Sequence, residues 1–80
     1  MDTQEAVAFR ISQLCKEKGF SIHGIAIYAA VPPATIRDIL VGKTKNPGVT
    51  TIKKLCDGLG ITLGEFFSTP EFDNLEQEIR

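Results

Sequence analysis

Signals that end or begin a helix recur at short intervals along the whole chain, and they limit every helix to a few turns. Apolar residues at helical spacing, followed by Gly19, predict a first helix over Thr3–Lys18. Ser21 is a favourable N-cap for a second helix, and Phe20 is placed to contact Ile25 as a hydrophobic staple. The chain is therefore predicted to be a series of short helices.

Similar signals divide the next part of the chain. A third helix begins near Pro33, because proline is tolerated in a first helical turn, and it runs to Gly42. Residues 43–48 form a polar loop that precedes a fourth helix, which begins near Val49 and ends near Gly58 to Gly60. Thr62 then opens a short fifth helix with a Thr-x-x-Glu capping box.

The acidic end of the chain repeats the capping signature. Residues 68–71 read Ser-Thr-Pro-Glu, and Phe72, Leu75 and Ile79 follow at helical spacing, which predicts a tail helix. No segment alternates apolar and polar residues in the manner of a strand. The predicted fold class is all-α, with a five-helix domain over residues 1–67 and an acidic tail helix over residues 68–80.

Length and composition limit what this domain can be. Eighty residues suffice for one small domain, and 42% hydrophobic with 24% charged residues is typical of a globular chain. No apolar run reaches the roughly 20 residues of a membrane span, and the first ten residues do not resemble a signal peptide. Cys15 and Cys56 are too few for a disulfide scaffold and are expected to be buried in a reducing cytoplasm.

The net charge of -1 conceals a strong asymmetry. Residues 10–54 carry eight basic and two acidic side chains, whereas the rest carries one basic and eight acidic side chains. A basic body with an acidic end indicates contact with nucleic acid. The alternative is two solvated faces of an ordinary surface.

Residues 21–42 have the helix, tight turn and helix of a helix-turn-helix motif. Ala26 is small where the two helices must cross, Ala30 and Val31 form the turn, and apolar contacts come from Ile25, Ile36 and Ile39. With the Gly-Lys-Thr-Lys-Asn-Pro loop and the helices of residues 51–67, the chain resembles the lambda-repressor-like, Cro/XRE family of DNA-binding domains over about residues 7–67.

The resemblance implies a sequence-specific regulator of transcription that binds double-stranded DNA. A recognition helix that begins near Pro33 and ends near Val41 would enter the major groove. The expected base contacts are Pro33, Ala34, Thr35, Arg37 and Asp38. The expected phosphate contacts are Ser21, Lys43, Thr44, Lys45 and Asn46, since lysine neutralises a phosphate and polar groups donate to its oxygens.

Base readout departs from the family pattern. Where the family often has Gln, Ser or Arg, this chain has Pro32, Pro33 and Ala34, which offer no side-chain hydrogen bond. Arg37 can pair with guanine and Asp38 with cytosine, unless the two pair with each other in solvent. Ile22 also replaces a common Gln. Our hypothesis is reduced or apolar-weighted specificity.

The second helix is apolar nearly all round, with Ile27 and Tyr28 off the expected core face, so it needs a cover. The tail helix is one candidate, either within the chain or from a second copy, and a homodimer would present two recognition helices to two half-sites. The alternative function is a protein-interaction module on the same scaffold with weak or vestigial DNA binding. In it, another protein contacts the apolar surface of Ile22, Ile27, Tyr28 and Leu40.

Catalysis is not expected. His23, Cys15 and Cys56 lack the close spacing of a zinc site, and the glycines are scattered rather than gathered in a phosphate-binding loop. We expect no enzyme activity, cofactor, metal, membrane partner or small-molecule substrate.

Overall fold

The computed structural model describes residues 1–79, and these residues form six helices and no strand. The helices are α1 Thr3–Lys18, α2 Ile22–Ala29, α3 Pro33–Leu40, α4 Val49–Leu59, α5 Leu63–Phe67 and α6 Pro70–Asp73. The predicted all-α class is confirmed. Within the described residues no helix combines the length and apolarity that crossing a membrane requires.

Local capping explains where α1 begins and ends. The Asp2 carboxylate accepts from the backbone N–H of Glu5 at 2.8 Å, and the Glu5 carboxylate accepts from the backbone N–H of Asp2 at 2.8 Å. This reciprocal box was not predicted from the sequence, although its Asp-x-x-Glu spacing carries the signal. Gly19, with φ of 75°, closes the helix in the left-handed conformation that favours glycine.

The turn between α2 and α3 contains a strained residue. Ser21 caps α2 by accepting from the Gly24 N–H at 2.9 Å, as predicted. The helix ends at Ala30, whose φ of 56° is left-handed although alanine carries a Cβ. The N–H of Val31 donates to the Ala26 carbonyl at 2.9 Å and holds the turn closed. This tight turn directs the chain into α3.

One apolar core unites the first five helices. Its fully buried large side chains are Ile11, Ile25, Ile36, Ile39, Leu55, Cys56 and Phe66. The two helices of the helix-turn-helix contribute Ile25, Ile36 and Ile39, as the sequence predicted. The core therefore fixes the position of α3 from its inner face.

The fifth helix forms its predicted capping box. The hydroxyl of Thr62 accepts from the Glu65 N–H at 3.0 Å, and the Glu65 carboxylate accepts from the Thr62 N–H at 3.0 Å. The second bond stabilises the ionised carboxylate and lowers the pKa of Glu65.

The predicted tail helix is wrong in its length. The helix α6 ends at Asp73, residues 74–79 are not helical, and residue 80 lies outside the described part. The N-cap is Thr69 rather than Ser68, and it makes no side-chain capping bond, so the capping signature predicted over residues 68–71 does not form. An isolated helix of this length requires packing to persist, and Ile79 is 86% exposed.

The tail packs on its own domain rather than over α2. The Phe72 ring lies 4.9 Å from the Phe67 ring and 6.1 Å from the Phe66 ring, centre to centre. These contacts cover the α5 end of the core. Ile27 and Tyr28 keep 67% and 71% of their surface exposed, so the tail of the same chain does not cover them, and a cover from a second copy stays a prediction.

Candidate nucleic-acid interface

The outer face of α3 is the candidate recognition surface. Ile36 and Ile39 point into the core, and this leaves Ala34, Arg37 and Val41 exposed at helical spacing. Among the residues predicted to contact bases, Ala34 and Arg37 are the most accessible. Pro33, Thr35 and Asp38 are half-buried and lie beside this stripe.

Arg37 and Asp38 do not pair with each other. Over residues 1–79 the one ion pair joins Lys53 to Asp57 on α4. The described residues therefore contain no Arg37–Asp38 ion pair, and contact of either side chain with DNA stays a prediction. The Arg37 guanidinium is exposed and available to an outside acceptor.

The loop after α3 is attached to the helix by its backbone. The N–H groups of Lys43 and Thr44 donate to the Asp38 carbonyl at 2.9 and 3.0 Å. Gly42 precedes them with a left-handed φ of 80°. These bonds bring the predicted phosphate-binding loop directly to the C-terminal end of α3.

The side chains of this loop are accessible, as phosphate contacts require. Lys43, Lys45 and Asn46 are exposed, and Thr44 is half-buried. The Lys45 ammonium lies near Gly42, 3.8 Å from the position that a Cβ would occupy if this residue were alanine. It therefore lies near the C-terminal end of α3, where the helix dipole favours positive charge.

Ser21 contributes from the start of α2. Its hydroxyl oxygen accepts from Gly24, and the side chain is exposed, so the hydroxyl hydrogen can still be donated outward. The first turn of α2 adds the positive end of a helix dipole.

Two basic residues of the body are used internally. The Arg10 guanidinium donates to the carbonyls of Phe66 at 2.7 Å and Glu65 at 2.8 Å. It thus caps the end of α5 across more than fifty residues of sequence. Lys53 is paired with Asp57. In the described structure six of the eight basic side chains of residues 10–54 make no ion pair or side-chain hydrogen bond, and three of these, Arg37, Lys43 and Lys45, lie on α3 or in the loop after it.

Tail carboxylates lie near this loop. Glu76 and Glu78 line the same cleft as Lys45 and Asn46, with a volume of about 840 Å³. The Thr3 hydroxyl donates to the Glu78 carboxylate at 2.6 Å and holds that end of the tail against α1. The acidic tail therefore faces the candidate phosphate-binding loop.

The cysteines are placed as core residues rather than as reactive groups. Cys15 and Cys56 are buried, and burial raises the pKa of each thiol. Raised pKa values keep them protonated and poorly nucleophilic near neutral pH. His23 is exposed on α2.

Together these features define a helix-turn-helix DNA-binding domain. They are a capped helix, a tight left-handed turn, a second helix with an exposed stripe, and a loop that carries lysines. Residues 10–71 match the family model of the Cro/C1-type HTH DNA-binding domain. The chain belongs to this family, and the predicted resemblance is confirmed. Members of the family are typically non-enzymatic DNA-binding regulators.

A solved structure has a similar fold. The fold is similar to the crystal structure of the prophage Lp1 protein 11, with a TM-score of 0.82 and 30% sequence identity. The alignment covers 94% of this chain and 100% of that chain. A search of curated proteins finds no significant match.

Proposed function

We propose that this protein is a sequence-specific, XRE-type regulator of transcription that acts in the cytoplasm and places α3 in the major groove of double-stranded DNA. The observation that carries the proposal is the continuity of two surfaces. The exposed stripe of Ala34 and Arg37 on α3 leads directly into the lysine-bearing loop of residues 43–46. In this proposal the base-reading surface and the phosphate-binding surface are neighbours, joined by the backbone bonds of Lys43 and Thr44 to Asp38.

In this proposal the loop sets the register on DNA. Lys43 and Lys45 neutralise phosphates, Thr44 and Asn46 donate to phosphate oxygens, and Ser21 donates from the start of α2. These contacts are independent of base sequence.

The base-reading groups are few. Arg37 pairs with guanine through O6 and N7, Asp38 accepts from cytosine, and Thr35 contacts either type of pair. Pro33 and Ala34 make apolar contacts, for which a thymine methyl group is the natural partner. Specificity therefore depends on one strong hydrogen-bonding residue and on shape.

A selection from randomised duplexes tests this specificity. We expect a short consensus with one guanine position, at which Arg37→Ala weakens discrimination by about 1 to 3 kcal/mol. The Ser21→Ala variant is the control, because it should lower affinity for all sequences equally. A sharp consensus that survives Arg37→Ala would overturn the assignment of Arg37, and no enrichment would refute sequence specificity.

We further propose that the protein binds DNA as a homodimer, because a single α3 reads only a few base pairs and two half-sites lie about 34 Å apart, one DNA turn. Light scattering on a duplex with two selected half-sites should give two chains per duplex. One chain per duplex would contradict the proposal.

The alternative of a protein-interaction module draws on the exposed Ile27 and Tyr28. The family match favours DNA binding instead.

A further inference from the structure

Gln4 connects α1 to the recognition helix. Its side-chain amide Nε2 donates to the carbonyl oxygen of Ile39 at 2.6 Å. Gln4 lies in the first turn of α1, outside the helix-turn-helix segment, and Ile39 lies in the last turn of α3. The contact joins elements that are 35 residues apart in the sequence.

The bond is made at the junction where α3 becomes the phosphate-binding loop. Carbonyls in the last turn of a helix have no partner within the helix and need one from elsewhere. The Ile39 carbonyl accepts from the Gly42 N–H at 3.1 Å as well as from Gln4. Gln4 Oε1 also lies 3.6 Å from the position that a Cβ on Gly42 would occupy, so both polar atoms of the amide lie against this turn.

The neighbouring carbonyls of Asp38 and Ile39 therefore join α3 to different parts of the chain. The Asp38 carbonyl attaches Lys43 and Thr44 to α3, and the Ile39 carbonyl attaches α3 to α1 through Gln4. The first attachment orients the loop relative to the exposed stripe of α3, and the second fixes this junction relative to α1.

We propose that Gln4 is a positioning residue for DNA binding, which holds the C-terminal end of α3 and the following loop at the angle that lets both contact one duplex. The inference rests on the proposed function. Phosphate contacts fix register only when their geometry is set in advance, so a looser junction lowers the fraction of molecules that can bind.

Loss of the bond should affect binding more than folding. In the Gln4→Met variant the side chain keeps nearly the same length, and the Ile39 carbonyl keeps its bond from Gly42. The melting temperature should fall by no more than about 5 °C. Affinity for a mixed-sequence duplex of about 20 base pairs, in about 50 mM salt, should fall about three- to tenfold.

The Gln4→Glu variant adds a pH-dependent readout, and Gln77→Glu is its control, because it adds the same charge to the same cleft without a bond to Ile39 and so measures the effect of charge alone. An ionised carboxylate is only an acceptor and opposes the Ile39 carbonyl, whereas the protonated form carries an O–H donor. Glutamate ordinarily titrates near about 4.3, and a facing acceptor raises that value. The affinity of Gln4→Glu divided by that of Gln4→Met should therefore rise as the pH falls from about 7.5 to about 5.

Gln13→Met is the matched control, since Gln13 lies on the same helix and contacts Arg10 rather than α3. It should bind the duplex as the wild type does. The positioning role is overturned if Gln4→Met binds the duplex like the wild type, or if its loss of affinity is fully explained by the fraction of the variant that is unfolded. It is also overturned if the ratio of the Gln4→Glu affinity to the Gln4→Met affinity does not change with pH. A folded wild type that binds no duplex in low salt refutes the proposed function and the inference with it.

Discussion

Gly58 lies where α4 crosses α2, and its replacement by alanine tests how closely these two helices pack. A Cβ at this position would lie 3.0 Å from the Cβ of Ala29, 3.3 Å from the Cα of Ala29 and 3.2 Å from the Cδ1 of Ile25. The two Ala29 atoms can retreat only if α2 moves. The glycine is therefore required by the packing, although it lies inside a helix.

The expected effect is the difference between two opposing terms. Alanine is favoured over glycine inside a helix by about 1 kcal/mol. Overpacking costs about 1 to 3 kcal/mol, and three distances shorter than 3.4 Å to atoms of α2 place Gly58→Ala at the upper end. We expect a net loss of about 2 kcal/mol in the free energy of unfolding, which lowers the melting temperature of so small a domain by roughly 10 °C.

Thermal unfolding followed by circular dichroism measures this change. Gly64→Ala is the matched control, because a Cβ there meets only the Thr62 hydroxyl at 3.7 Å. It should raise stability by about 0.5 to 1 kcal/mol. If Gly58→Ala also raises stability, α2 and α4 are not packed at the described distance and the reasoning is refuted.

Three further variants test particular interactions. Arg10→Ala should lower the free energy of unfolding, measured by urea denaturation, by about 1 to 3 kcal/mol, because two carbonyls at the end of α5 lose their donor. Ala30→Gly should raise it by about 0.5 to 1 kcal/mol, because glycine adopts the left-handed φ without a Cβ penalty. Glu76→Gln combined with Glu78→Gln should raise affinity for duplex DNA about threefold in low salt, because two carboxylates leave the cleft that Lys45 lines.

Each of these has an outcome that counts against it. Arg10→Lys should restore only part of the stability, and full restoration would show that charge rather than the forked donor is needed. An unchanged or lower stability of Ala30→Gly would contradict strain at that turn. Glu71→Gln with Asp73→Asn removes the same charge from α6 outside the cleft, and an equal gain in affinity would show that only total charge matters.

The helix boundaries could be predicted where local chemistry sets them. Gly19, Ser21 and Thr62 each act within a few residues of their own position, so the sequence displays the signal directly. The third helix ends at Leu40, slightly before the predicted Gly42, because its last residues leave the helix to form the loop junction.

The tail could not be predicted in the same way. Apolar residues at helical spacing are compatible with a helix, but they are equally compatible with a tail that packs a single aromatic ring against the core. Of the described tail residues only Phe72 packs against the core, and α6 ends one residue later, at Asp73.

The interactions that organise the candidate site are non-local. Gln4 reaches Ile39 across 35 positions, and Arg10 reaches Phe66 across 56. Nothing in the residues beside Gln4 or Arg10 indicates these partners. The family resemblance predicted which segments belong to the candidate site, but only the packed structure shows what holds these segments in place and which charged side chains are unpaired.

The salt dependence of duplex binding tests most directly whether this domain holds DNA through the loop that follows α3. The logarithm of the affinity should fall linearly with the logarithm of salt concentration, and Lys43→Ala with Lys45→Ala should reduce that slope by about 1.8, or about 0.9 for each phosphate that a lysine no longer neutralises. Lys53→Ala with Lys54→Ala removes the same charge from α4 and should leave the slope nearly unchanged. Equal slopes for the two double variants, or no duplex binding by the wild type in low salt, would contradict the account.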